Sequence, residues 1–111
     1  MGEDQSQCAL PQTPDYSGVV LIDLLPTPFA EDYRQALGIA DAEAHARMRD
    51  PMLLSWYDRD RNFESPQHAS ECHAASAVPG YVDYGLQHGA TLRIDIEQGR
   101  FVFFYLDAAS V

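Results

Sequence analysis

The sequence predicts a single α+β domain, and three observations carry that prediction. Near the C-terminus, ATLRIDIE alternates strictly between apolar and polar residues and is followed, after a Gln-Gly turn, by the apolar return RFVFFYLD. Earlier segments carry helix punctuation instead, with Ser or Thr before Pro at their starts and Gly beyond their ends. The chain has 111 residues, 46% of them apolar, which suits one domain with one modest core. The expected inventory is about four strands, including a C-terminal antiparallel β-hairpin, packed with three or four short helices.

The elements follow in order. Residues 1–17 are rich in Gln, Ser and Pro, with Pro11 and Pro14 opposing regular structure, and read as a flexible arm ahead of a domain at 18–111. The run GVVLIDLLP is short, β-branched and bounded by Gly18 and Pro26, so it predicts a buried strand. Asp23 interrupts it, which places a polar site or a sheet edge there. TPFAEDYRQALG predicts a helix with Thr27 as N-cap, Pro28 in its first turn, Gly38 beyond its end and Phe29, Tyr33, Ala36 and Leu37 on one face. A second helix is expected from Asp41 to the residue before Pro51.

MLLSWYDRDRNF reads as a strand that passes into a charged turn or extended edge. Ser65 and Pro66 then open a predicted helix over SPQHASECH, and VPGYVDYGLQHG predicts another, started near Pro79 and capped by Gly89. Gly85 sits inside that helix at a cost of ~1 kcal/mol relative to alanine. In the hairpin, Ala90, Leu92, Ile94 and Ile96 share one face and Thr91, Arg93, Asp95 and Glu97 the other. The return strand is apolar on both faces, which fits a central strand covered on both sides or a docking surface.

Composition excludes several chemistries. All seven basic residues are arginine, so the chain can form no lysine Schiff base and has no P-loop lysine. The net charge of −10 opposes nucleic-acid binding, which depends on counterion release by cations, and favours a basic partner surface or a cationic ligand. No apolar run approaches the ~18 residues of a membrane span, and the N-terminus lacks the basic and apolar regions of a secretory signal. The start does match the myristoylation pattern at Gly2 and Ser6, but Glu3 and Asp4 would repel an anionic membrane. The two cysteines make no disulfide framework. A cytoplasmic protein with no membrane and no nucleic-acid partner is the expectation.

Two function classes remain. SPQHASECH holds the one cluster of chemistry-bearing residues, with His68 and Cys72 four apart on one helical face and Glu71 three from His68. As a metal centre, His68, Cys72 and His73 supply imidazole and thiolate donors for zinc or another transition metal, with His88 as the best further ligand and Asp58 or Asp60 as weaker ones. As a thiol site, Cys72 is the nucleophile, His68 its base and Glu71 the group that orients the base. Against both stands the common behaviour of a free cysteine, which is to pack as a small apolar residue.

The preferred class is a protein-interaction module, a homo-oligomer or a binder of a protein partner. It would act through an aromatic surface near the hairpin comprising Trp56, Tyr57, Tyr84, Phe104 and Tyr105.

Overall fold

In the computed structural model, which describes residues 14–67 and 79–110, the chain builds one five-stranded mixed sheet. The elements are β1 (Val20–Leu24), α1 (Tyr33–Arg47), β2 (Pro51–Asp58), β3 (Phe63–Ser65), α2 (Gly80–Gln87), β4 (Leu92–Ile96) and β5 (Phe101–Asp107), closed by a 3-10 turn at Ala108–Ser110. The strand order is β1-β4-β5-β2-β3. Only β1 and β4 run parallel; the other neighbours are antiparallel. The α+β class holds, with one more strand than expected and fewer helices among the described residues.

The expected hairpin of β4 and β5 forms, with Ile96 opposite Phe101 and Leu92 opposite Tyr105. Its connection is longer than Gln98-Gly99, because Glu97, Gln98 and Gly99 all take positive φ of 61°, 57° and 90°. The Arg100 N–H closes the turn on the Glu97 carbonyl.

Strand β5 is the central strand covered on both sides. Phe101, Phe103 and Tyr105 pack with Leu92, Ile94 and Ile96 beneath α1, while Val102 and Phe104 pack with Val82 and Ala90 beneath α2. The expected docking surface at Phe104 and Tyr105 is therefore absent: the two are 0% and 1% exposed. A strand with neighbours on both edges and helices on both faces has no side left for solvent.

Helix α1 replaces the two helices expected at Thr27 and Asp41. It starts only at Tyr33, because Asp32 accepts the Gln35 N–H at 3.0 Å while the Gln35 side chain accepts from the Glu31 N–H at 2.6 Å. Phe29 lies ahead of it and is 63% exposed. The helix continues through Gly38, whose cost of about 1 kcal/mol is offset by tertiary packing. Ala36, Ala40 and Ala44 recur every fourth residue and are fully buried, so the helix backbone lies close on the sheet. Asp41 is not a cap; its carboxylate accepts the Tyr105 hydroxyl at 2.6 Å.

Strand β2 turns at Arg59–Asn62 into β3, so that of the charged turn and the extended edge expected there the turn forms, and it closes a second hairpin. Ser65, expected as an N-cap, ends β3. A bulge at Leu54 shifts the register between Leu53 and Ser55 and sets Ser55 opposite Phe104. Ser55 is buried and satisfied, donating to the Tyr81 carbonyl at 2.6 Å. Tyr16, assigned to the flexible arm by composition, packs its ring near Phe104 at 6.5 Å between centroids.

Two carboxylates tie distant segments and give the fold an acid limit. Arg100 donates to Asp60 and holds its carboxyl below the usual range. At Asp107, loss of solvent opposes ionisation, but the N–H groups of Asp50, Ala109 and Arg49 donate to the carboxylate and lower its pKa. A carboxyl depressed on folding contributes stability above its unfolded pKa of about 4 and loses it as pH falls through the lower folded value. The urea midpoint is expected to be flat from neutral pH to about pH 5 and to drop below about pH 4. Asp107→Asn should make that acid limb shallower, and an unchanged limb would remove Asp107 as a contributor.

Candidate functional site

The cluster at 68–73 lies outside the described residues. That covers His68, Glu71, Cys72 and His73, hence the thiol site and three of the four metal ligands. The fourth, His88, caps α2: its Nδ1–H donates to the Tyr84 carbonyl at 2.8 Å, and its ring stacks on Tyr84 at 3.8 Å. Among the described residues, no three His, Cys, Asp or Glu side chains converge as a metal cage.

Asp58 and Asp60 do not form a pair. Asp58 is 2% exposed at the end of β2 and accepts from Arg61 Nε at 2.6 Å, whereas Asp60 reaches across to Arg100. Both border a cleft of about 270 Å³ with Asp32, Tyr33, Arg34 and Arg61. Every carboxylate there is already occupied, since Asp32 caps α1. Among the described residues, this end of the sheet is held by charge pairs and a helix cap.

The aromatic residues separate onto opposite faces, as strand alternation requires. Trp56 faces α1, between Tyr33 at 4.3 Å and Phe63 at 5.4 Å, with the Arg61 guanidinium over the same rings. Tyr57 faces the other way and stacks on Tyr81 at 5.2 Å and 11°. Tyr81 meets Phe104 edge-on at 6.1 Å, and the Tyr16 ring lies nearly parallel to Phe104 at 6.5 Å. Buried Phe104 is thus the floor of a half-buried surface made by Tyr16, Tyr57 and Tyr81. Burial pushes the Tyr81 hydroxyl pKa up, with Tyr16, Asp95 and Tyr57 adding to the rise and Arg93 opposing it, so the group stays a neutral donor.

Beside the tyrosines, the same sheet face carries charge. Asp23 on β1 is the register partner of Asp95 on β4, and Arg93 stands two residues from Asp95 on the same face. Arg93 Nη2 donates to Asp23 at 3.0 Å, and its guanidinium lies 5.3 Å from the centre of the Tyr16 ring. Asp95 accepts the Gly99 N–H at 2.6 Å. Asp23 remains 78% exposed. Arg93 Nε is buried with no hydrogen-bond partner among the described residues. A cleft of about 390 Å³ opens here, lined by Asp23, Leu24, Leu25, Arg93, Asp95 and Gln98.

Sequence reading singled out Tyr57 in this site but missed Tyr16, Arg93 and Asp95. The alternation of β4 put Arg93 and Asp95 on one face together, and Asp23 had already marked a polar site or edge. What was missing was the parallel pairing of β1 with β4, which sets the two carboxylates side by side.

Comparisons with known proteins bear on the fold. Residues 21–105 match the family described as domain of unknown function DUF5619. The chain belongs to that family. The crystal structure of a novel protein, AF1514, from Archeoglobus fulgidus DSM 4304 is similar, with a TM-score of 0.64 and 21% identity over 80% of this chain and 94% of that one. At that identity the likeness shows the shared fold. No curated protein matches the chain. Among the described residues, no helix is long and apolar enough to cross a membrane.

Proposed function

We propose that this DUF5619 domain is a protein-interaction module that binds a basic, arginine-bearing segment of a partner on the face formed by Tyr16, Tyr57, Tyr81, Asp23 and Asp95. The observation that carries the reading is the placement of Arg93. The chain's own guanidinium rests on the Tyr16 ring with a carboxylate at 3.0 Å, so the face already solves the chemistry of holding one. Two carboxylates flank that single cation, which leaves the site acidic within a chain of net charge −10. Tyrosines packed against a rigid sheet, Tyr57 on β2, Tyr81 on α2 and Tyr16 ahead of β1, offer contact area at low entropic cost, as interface anchors do.

Titration of a fluorescent arginine-rich peptide with the 111-residue chain, followed by anisotropy, tests this. Binding should weaken with added salt and exceed that of an acidic peptide of equal length. Asp23→Asn combined with Asp95→Asn should weaken it about tenfold, the scale of two exposed charge pairs of up to ~1 kcal/mol each. Tyr16→Ala should weaken it as well. Equal affinity for the acidic peptide, or no response to these substitutions, would overturn the reading.

A further inference from the structure

A second feature is the outer edge of β1, which shares Asp23 with the tyrosine face. In the parallel ladder with β4, the Val20 N–H donates to the Thr91 carbonyl and the Leu24 carbonyl accepts from Glu97. Backbone direction alternates along a strand, so Val20, Ile22 and Leu24 point their N–H and C=O groups toward β4, while Leu21 and Asp23 point theirs outward. Among the described residues, no strand pairs with that edge. Natural sheets protect such edges with charged residues, proline or a bulge; VLIDL has no proline and no bulge, and its one charge, Asp23, is paired with Arg93. Exposed apolar side chains accompany it: Val20, Leu21, Leu25 and Phe29.

We infer that β1 pairs antiparallel with β1 of a second copy of this chain about a two-fold axis at Ile22. The outward groups of Leu21 bond those of the partner's Asp23, the outward groups of Asp23 bond those of the partner's Leu21, and each pair exchanges two hydrogen bonds. Ile22 then faces the partner's Ile22 as a non-hydrogen-bonded pair, and Val20 faces the partner's Leu24 on the same side of the sheet as α1.

Charge selects both the occupant and the register. Most of an acidic chain repels its own copy, but at this edge the one carboxylate of β1, Asp23, is paired with Arg93 at 3.0 Å, which offsets part of its repulsion. A two-fold axis at Asp23 would set two carboxylates opposite each other, whereas the axis at Ile22 sets each against a leucine. The far edge, β3, is only three residues long, so the contact closes as a dimer and does not propagate. The two acidic tyrosine faces end on the same side of the joined sheet.

The test uses the untagged 111-residue chain by native mass spectrometry and sedimentation, with circular dichroism confirming that each variant is folded. A dimer is expected. Ile22→Cys, in a Cys8→Ser and Cys72→Ser background, should yield a covalent dimer on mild oxidation, while Leu24→Cys in the same background should not, because Leu24 faces Val20 across the seam. Leu21→Asp should raise the dimer dissociation constant about tenfold or more by facing the partner's Asp23, and Leu21→Arg should restore or tighten dimerisation. A strictly monomeric mass at every concentration overturns the proposal, including the case where the chain's own residues 1–13 cover the edge. A dimer that neither cross-links through position 22 nor responds to Leu21→Asp overturns it too, by placing the contact elsewhere.

Discussion

Arg100→Ala is expected to destabilise the fold by about 3 kcal/mol, read as the shift of a urea unfolding curve at constant m-value. Arg100 follows the β4–β5 turn and joins it to the segment leading into α1. Its Nη1 donates to Glu97 at 2.7 Å and to the Ala30 carbonyl at 2.6 Å; its Nη2 donates to Asp60 at 2.7 Å and, more weakly, to the Glu31 carbonyl at 3.4 Å. Glu97 is 5% exposed at its side chain, and its second oxygen accepts from the Ala30 N–H at 2.7 Å. Removing the guanidinium leaves a buried carboxylate with one partner, and that uncompensated charge is the source of the loss. The figure sits at the low end of the range for buried pairs because Arg100 is 19% exposed and water can partly replace it.

Two companions check the mechanism. Arg100→Lys should recover little, since a point charge cannot reach Glu97, Asp60 and the Ala30 carbonyl together. Adding Glu97→Gln to Arg100→Ala should recover part of the loss by removing the stranded charge. A cost under about 1 kcal/mol for Arg100→Ala would mean that the network behaves as a surface ion pair.

Gly85→Ala should also destabilise, by about 1–3 kcal/mol, although alanine is the better helix former by about 1 kcal/mol. A Cβ at position 85 would lie 2.9 Å from Cβ and Cγ of Phe104 and 2.9 Å from Oγ of Ser55. Phe104 is fully buried in the central strand, and Ser55 is anchored to the Tyr81 carbonyl, so neither neighbour can yield cheaply. Helix α2 would have to lift from the sheet. Gly38 in α1 is the control of opposite sign: a Cβ there meets nothing within 4 Å, so Gly38→Ala should gain up to about 1 kcal/mol. Thermal or urea unfolding of the two variants side by side decides the matter. If both stabilise, the close approach of α2 to β5 is not what keeps glycine at position 85.

These residues show where sequence reasoning stops. Both glycines look alike as interruptions of a helical pattern. Only the distance to Phe104 and Ser55 separates a position that needs glycine from one that does not. The end of the first helix was misread at Gly38 for the same reason, because buried Ala40 and Ala44 carry the helix onward. Tyr16 was assigned to the arm on composition, and composition cannot register a ring packed near Phe104 from far along the chain.

The sequence by itself determined the α+β class, the alternating strand β4, the doubly apolar strand β5, the helix over VPGYVDYGLQHG and the acidic, lysine-free surface. Each is written in a local period, a capping residue or a charge count, and these depend on neighbours a few residues away. The tertiary structure alone decided which strand is central and which is an edge. It also decided that Phe104 and Tyr105 are core, and that Asp23 meets Arg93 across 70 residues of chain. Periodicity tells a side chain which way to face, but not what it will face. That is settled when segments distant in sequence pair, and strand pairing is the step that carries no local signature.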